Sequence, residues 1–181
     1  MRHRASDGFT LIEVLIVIVV LGVLLLILLP LYNGALQKSK QKGTMAEINS
    51  LAKAVMSYVT DHDSAPTNPG GDIRSSPQFI KEVSPYHIMA VPVFDQWHGP
   101  LQAWMGVAVG TEFGIKPETV SADDFIIASW GRDRISENFV YNEAAPANGF
   151  YALSVIEDFD KDLILWNGQW IRVPLAAQSG S

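Results

Sequence analysis

The sequence predicts an α+β chain: a long N-terminal helix, membrane-spanning in its first half, packed on a small antiparallel β-sheet head. Three observations carry this. Val14 to Leu29 contains no polar side chain. Ile48, Leu51, Ala52, Val55, Tyr58 and Val59 then recur at helical spacing, an apolar stripe that needs a sheet to cover it. Near the C-terminus, LILWNGQWIRV sets Asn167 and Gly168 between two runs of β-formers, the signature of a two-residue hairpin turn with positive φ at both positions.

From Phe9 to Leu29 only Thr10 and Glu13 are clearly polar. At about 1.5 Å per residue this stretch covers roughly 30 Å, the thickness of a bilayer's hydrocarbon. It is too long for a secretory signal's apolar region, and the following PLYNGALQ offers no small-x-small cleavage site. Glu13 is the anomaly. A charged group at the centre of a spanning segment costs about 2.5–3.5 kcal/mol and calls for a partner. No basic residue lies nearby within the segment, so the partner is elsewhere, and a neighbouring chain is one candidate. Arg2 and Arg4 before the segment and Lys38, Lys40 and Lys42 after it leave the topology undecided by charge.

The helical stripe ends near Asp61, with Gly34 and Gly43 as weak points along the way. Residues 61–78 read as a loop, rich in Pro, Gly, Asn and Ser, and a short helix is expected over Pro77–Val83. Strand candidates are Pro100–Val109, Asp124–Trp130, Phe150–Ile156 and the two arms of the hairpin, giving a sheet of three or four strands. Trp166 and Trp170, flanking the turn, are expected to pack on one another or on the sheet.

Composition excludes several classes. The net charge is −6 over 181 residues, which does not suit a nucleic-acid binder, whose affinity rests on neutralising phosphates. There is no cysteine, hence no disulfide framework and no thiolate nucleophile or metal ligand. His3, His62, His87 and His98 show no metal spacing, and no G-x-S-x-G, P-loop or G-x-G-x-x-G occurs. An enzyme is not expected. Five tryptophans could form a platform for a ligand, making a membrane-anchored binding module, but a small head needs such side chains in its core.

The run G-F-T-L-I-E-V, after a short basic leader and before a long apolar helix, resembles the prepilin signature of type IV pilins and type II secretion pseudopilins. Gly8, Phe9 and Glu13 stand at the family's spacing, and Pro30 falls where these helices commonly carry proline. The resemblance implies a leader at 1–8, a filament-core helix at 9–30, an amphipathic stalk at 31–62 and a periplasmic head at 63–181. It implies cleavage after Gly8 by a membrane-embedded prepilin peptidase on the cytoplasmic side, and methylation of the new amine of Phe9. That amine, on the same or an adjacent subunit, would be the partner of Glu13 and would set register between helices in a filament. Gly22 and Pro30 are candidate sites of extension within such a filament, or of a slight kink in the membrane helix.

In the head, VPVFDQWHGPLQAW and DDFIIASWGRDR resemble blocks of the type II secretion major pseudopilin. Asp95, Trp97, Pro100, Ser129, Gly131 and Asp133 match, while His98 and Arg134 each replace a glycine. By that resemblance the loop after the second block binds calcium, with Asp133 as a ligand. Asp158, Asp160 and Asp162 form a D-x-D-x-D spacing able to bring oxygens to a hard cation, or else a solvated acidic loop partly neutralised by Lys161 and Arg134. The expected role is therefore assembly: a subunit held in the inner membrane and polymerised into a helical type II secretion pseudopilus. Its expected partners are the inner-membrane assembly platform, minor pseudopilins and the lipid bilayer. The alternatives are a subunit of a type IV pilus or DNA-uptake filament, and the anchored binding module.

Overall fold

The structure, a computed structural model, describes residues 9–68 and 70–175. Residues 1–8, expected as a leader and including Gly8, lie outside the described residues. The chain forms two compact units, one ending at Gln37 and one beginning at Lys38.

Helix α1 runs Leu11–His62 without interruption by Gly22, Gly34 or Gly43. In the first unit it has no polar face, and its large side chains from Leu11 to Leu29 are all at least 50% exposed. It is long and apolar enough to cross a membrane. In the second unit the stripe read from the sequence is a buried face: Ile48, Leu51 and Val55 are fully buried. Gly43 is where this helix meets the loop before β2, because a Cβ there would sit 2.8 Å from Gln96 Cγ.

The head's sheet has six strands in the order β1-β2-β3-β5-β6-β4. These are β1 (Gly71–Asp72), β2 (Gln102–Met105), β3 (Phe125–Ser129), β4 (Phe150–Tyr151), β5 (Leu163–Trp166) and β6 (Gln169–Pro174). All neighbours are antiparallel except β4 and β6. The expected count of three or four matches the central strands; the two extra edges, β1 and β4, are two residues each and carry no pattern a sequence can show. The strand expected over Pro100–Val109 is cut short because Gly106 takes φ +57° and the chain enters a 3-10 segment, Gly106–Thr111. That expected over Phe150–Ile156 keeps only its first two residues before a 3-10 segment at Ile156–Asp160. Helix α2 covers Pro77–Val83, as its sequence predicts.

Strand alternation sorts the central strands into two buried faces. Ala103, Met105, Phe125, Ile127, Leu163, Leu165 and Val173 join Ile48, Leu51 and Val55 of α1 in one core. Trp104, Ile126, Ala128, Ile164 and Ile171 form a second core with Val109, Phe113 and Ile115 from the β2–β3 connection. The second core is walled by loops rather than by helix, which is why β2 and β3 are buried at every position. The hairpin turn is as expected, with φ +47° at Asn167 and +81° at Gly168. Trp170 packs towards α1's core and Trp166 on the other face, 5.8 Å from the Tyr141 ring, so each packs on the sheet and not on the other.

Candidate functional site

Two sites follow from the sequence: the start of α1 and the loop end of the head. At the first, Phe9 is 85% exposed and precedes the helix. Thr10 is the last residue outside it, and both its backbone N–H and its hydroxyl donate to Glu13 Oε2 at 2.8 Å. The Glu13 N–H points back to Thr10 Oγ1 at 3.4 Å. This is a capping box, in which a threonine and the glutamate three residues on satisfy each other's orphan groups at a helix start. Glu13 thus has an intrachain partner that the sequence reading missed, although T-x-x-E before an apolar run is its signal. Beyond this box, no polar side chain interrupts the exposed apolar surface up to Leu29.

At the loop end of the head, the two matched blocks meet. Asp95 is buried at 4% exposure. Its Oδ1 accepts from the N–H groups of Trp97 (2.9 Å) and Gly99 (2.8 Å), and its Oδ2 from the Ser129 hydroxyl at 2.6 Å. Ser129 Oγ in turn accepts from the Gly131 N–H at 3.2 Å. Gly131, at φ +68°, lies so close to the segment before β5 that a Cβ would stand 2.8 Å from each of three carbonyl oxygens, those of Phe159, Asp160 and Lys161. His98 and Arg134, the two residues standing where glycine was expected, adopt φ +61° and +63°. The backbone demands glycine-like geometry there, and this chain meets it with ordinary residues.

The four aspartates considered for calcium are held apart. Asp133 is exposed and accepts from the Ile135 N–H at 2.9 Å. Asp158 takes the Lys161 ammonium at 2.7 Å and the N–H groups of Ser154 and Val155; Lys161 first, then those amides, hold its carboxyl well below the usual range. Asp160 receives Arg132 in a two-pronged pair at 2.6 and 2.8 Å. Asp162 is fully buried, accepts from the Glu137 N–H at 3.0 Å, and has no partner for its Oδ1. Burial, with Glu137 and Asp133 nearby, pushes it up to about 7. Among the described residues no three His, Cys, Asp or Glu converge in a metal-holding group.

The structure also joins two histidines that look scattered in sequence. His62 stacks on Tyr58 at 4.0 Å, and His87 meets both rings edge-on while its Nδ1 lies 3.1 Å from Ser57 Oγ. The cluster fastens the end of α1 to the segment after α2.

Known proteins resemble this chain in its N-terminal motif and beyond it. Residues 3–29 match the family described as "Prokaryotic N-terminal methylation motif". The type II secretion system core protein G of Aeromonas hydrophila is 32% identical over 108 residues, 56% of this chain and 75% of that protein. The protein of the same name from Klebsiella michiganensis is 30% identical over the same shares. Competence protein ComGC of Halalkalibacterium halodurans is 39% identical over 67 residues, 37% of this chain and 64% of that protein. No solved structure matches. With the capped apolar helix, the sheet it covers and the joined head blocks in place, the chain belongs to the type II secretion system core protein G family.

Proposed function

We propose that the protein is a pseudopilin: a structural subunit that prepilin peptidase processes and that polymerises through its N-terminal helix into a type II secretion filament, with its head in the periplasm. Water would hydrolyse the Gly8–Phe9 peptide bond, leaving a carboxylate on the leader and an amine on Phe9; that amine then takes one methyl group from a methylsulfonium donor, which leaves as a thioether while the nitrogen gives up a proton. The observation that carries this reading is the Thr10–Glu13 box at the head of a helix that is apolar all round. Cleavage places a cation one residue before Thr10. In lipid, an adjacent subunit's amine and Glu13 have few competing partners, so their pairing selects one register out of many that apolar packing alone tolerates. The inner-membrane assembly platform and minor pseudopilins are the remaining partners of this role. It asks no catalysis of the chain itself.

Co-expression with a prepilin peptidase, followed by intact mass, tests the first step. A chain starting at Phe9 with one added methyl is expected; a chain cut elsewhere or left whole would overturn the leader assignment. The similarity to a competence protein favours a second reading, a subunit of a DNA-uptake filament. Loss of protein export on deletion supports the first reading, and loss of DNA uptake with export intact supports the second.

A further inference from the structure

Ser129 and Leu163 are paired at the end of β3 and the start of β5, so the segment 131–140 leaving β3 and the segment 152–162 entering β5 meet at one end of the sheet. They are bound to each other at three levels. The backbone of Arg132 donates to the Phe159 carbonyl at 2.9 Å. Its guanidinium takes both oxygens of Asp160. Further along, the Glu137 N–H donates to Asp162 and the Asp162 N–H donates to Glu137 Oε2 at 3.1 Å. Three carboxylates there, those of Asp160, Glu137 and Asp158, each pair with a separate cation. Arg172 of β6 grips Glu137 Oε2 at 2.8 and 3.1 Å, its guanidinium 4.9 Å from the Phe139 ring and 5.1 Å from that of Tyr151. Lys161 grips Asp158, 4.9 Å from the Tyr151 ring. Arg134 reaches across to the Trp97 carbonyl, tying in the loop before β2.

A divalent ion at such a place would draw several carboxylates to one centre. Here Asp158, Asp160 and Glu137 each take a separate cation, two of these being guanidiniums whose planar forks suit paired oxygens and rings. We propose that this chain clasps its acidic loops with its own Arg132, Lys161 and Arg172 in the role a bound calcium ion would fill, so that the head's stability is indifferent to calcium and rests on these pairs. The pairs are partly buried, the side chains being 11–31% exposed, and so are less screened than surface pairs.

The test is thermal unfolding of the full chain in detergent, with excess calcium, excess magnesium or chelator, for the wild type, Arg132→Gln, Asp160→Asn and the double variant. The wild type is expected to melt at one temperature in all three conditions. Each single variant is expected to melt about 2–4 °C lower, and the double no lower than the worse single, because both remove one contact. A calcium-specific rise of about 5–10 °C, as for a ligand near a hundred times its dissociation constant, would overturn the proposal. So would an unchanged melt in Arg132→Gln.

Discussion

The Ser129 hydroxyl donates to Asp95 Oδ2 at 2.6 Å, joining the loop before β2 to the end of β3 across 34 positions of sequence. Asp95 thereby accepts three donors while nearly excluded from water. Removing it takes the acceptor from all three at once, whereas removing Ser129's hydroxyl leaves one carboxylate oxygen and the Gly131 N–H without that partner. Asp95→Ala is expected to cost about 3 kcal/mol or more and Ser129→Ala about 1–2 kcal/mol, read by denaturant unfolding of the full chain in detergent.

His98 and Arg134 occupy left-handed backbone, which costs a residue with a Cβ about 1–2 kcal/mol that glycine escapes. His98→Gly is expected to raise the melting temperature. Arg134→Gly is expected to gain less, because it gives up the hydrogen bond to Trp97. A lower melting temperature for His98→Gly would show that its side chain holds the loop.

Gly131 is the opposite case. At φ +68°, with three carbonyl oxygens 2.8 Å from any Cβ, Gly131→Ala combines backbone strain with a clash that no flexible side chain can relieve. The expected result is a head that fails to fold or loses more than about 3 kcal/mol, read by protease sensitivity.

Asp162 makes stability depend on pH. Its folded value, about 7, lies above its ordinary 3.8, so the folded head holds the proton more tightly than the unfolded chain. That stabilisation is complete below the unfolded value and is lost as pH rises through about 7. The full chain is therefore expected to melt higher at about pH 5.5 than at about pH 8, and Asp162→Asn is expected to flatten that difference. An equal pH slope in Asp162→Asn would place the titration elsewhere.

Thr10→Val deletes the hydroxyl that both gives to and takes from Glu13. Membrane insertion is expected to persist, since hydropathy rises, while filament yield by electron microscopy changes. Glu13→Ala is expected to insert and fail to polymerise. Normal filaments from Glu13→Ala would remove the registry role from that carboxylate.

Local chemistry made much of this chain legible. Asn167-Gly168 announces its own turn, the apolar run its helix, and Pro77 the start of α2. Edges of two residues, such as β1 and β4, contain no period to read. The second core was hidden because Phe113 and Ile115 lie in an irregular connection whose burial depends on Ile126 and Ile164, brought there only by sheet formation. Asp95 and Ser129 were visible as a matched pattern, but their direct bond is a long-range fact. The T-x-x-E that marks the helix start at Thr10 lies inside the run G-F-T-L-I-E-V that marks the leader motif, so one stretch carries two signals. The aspartates of 158–162 show the limit of spacing: with Arg132 and Lys161 unplaced, D-x-D-x-D looks like a ligand set.

The apolar half of α1 has one further consequence. With every large side chain from Leu11 to Leu29 half exposed or more, this cylinder has no preferred face, and acyl chains and leucine side chains solvate it about equally well. Leaving the bilayer for a bundle of identical helices then exchanges one good solvent for another, at little cost or gain per residue. In the proposed filament, the small polar cap at its end would set the direction of such an exchange.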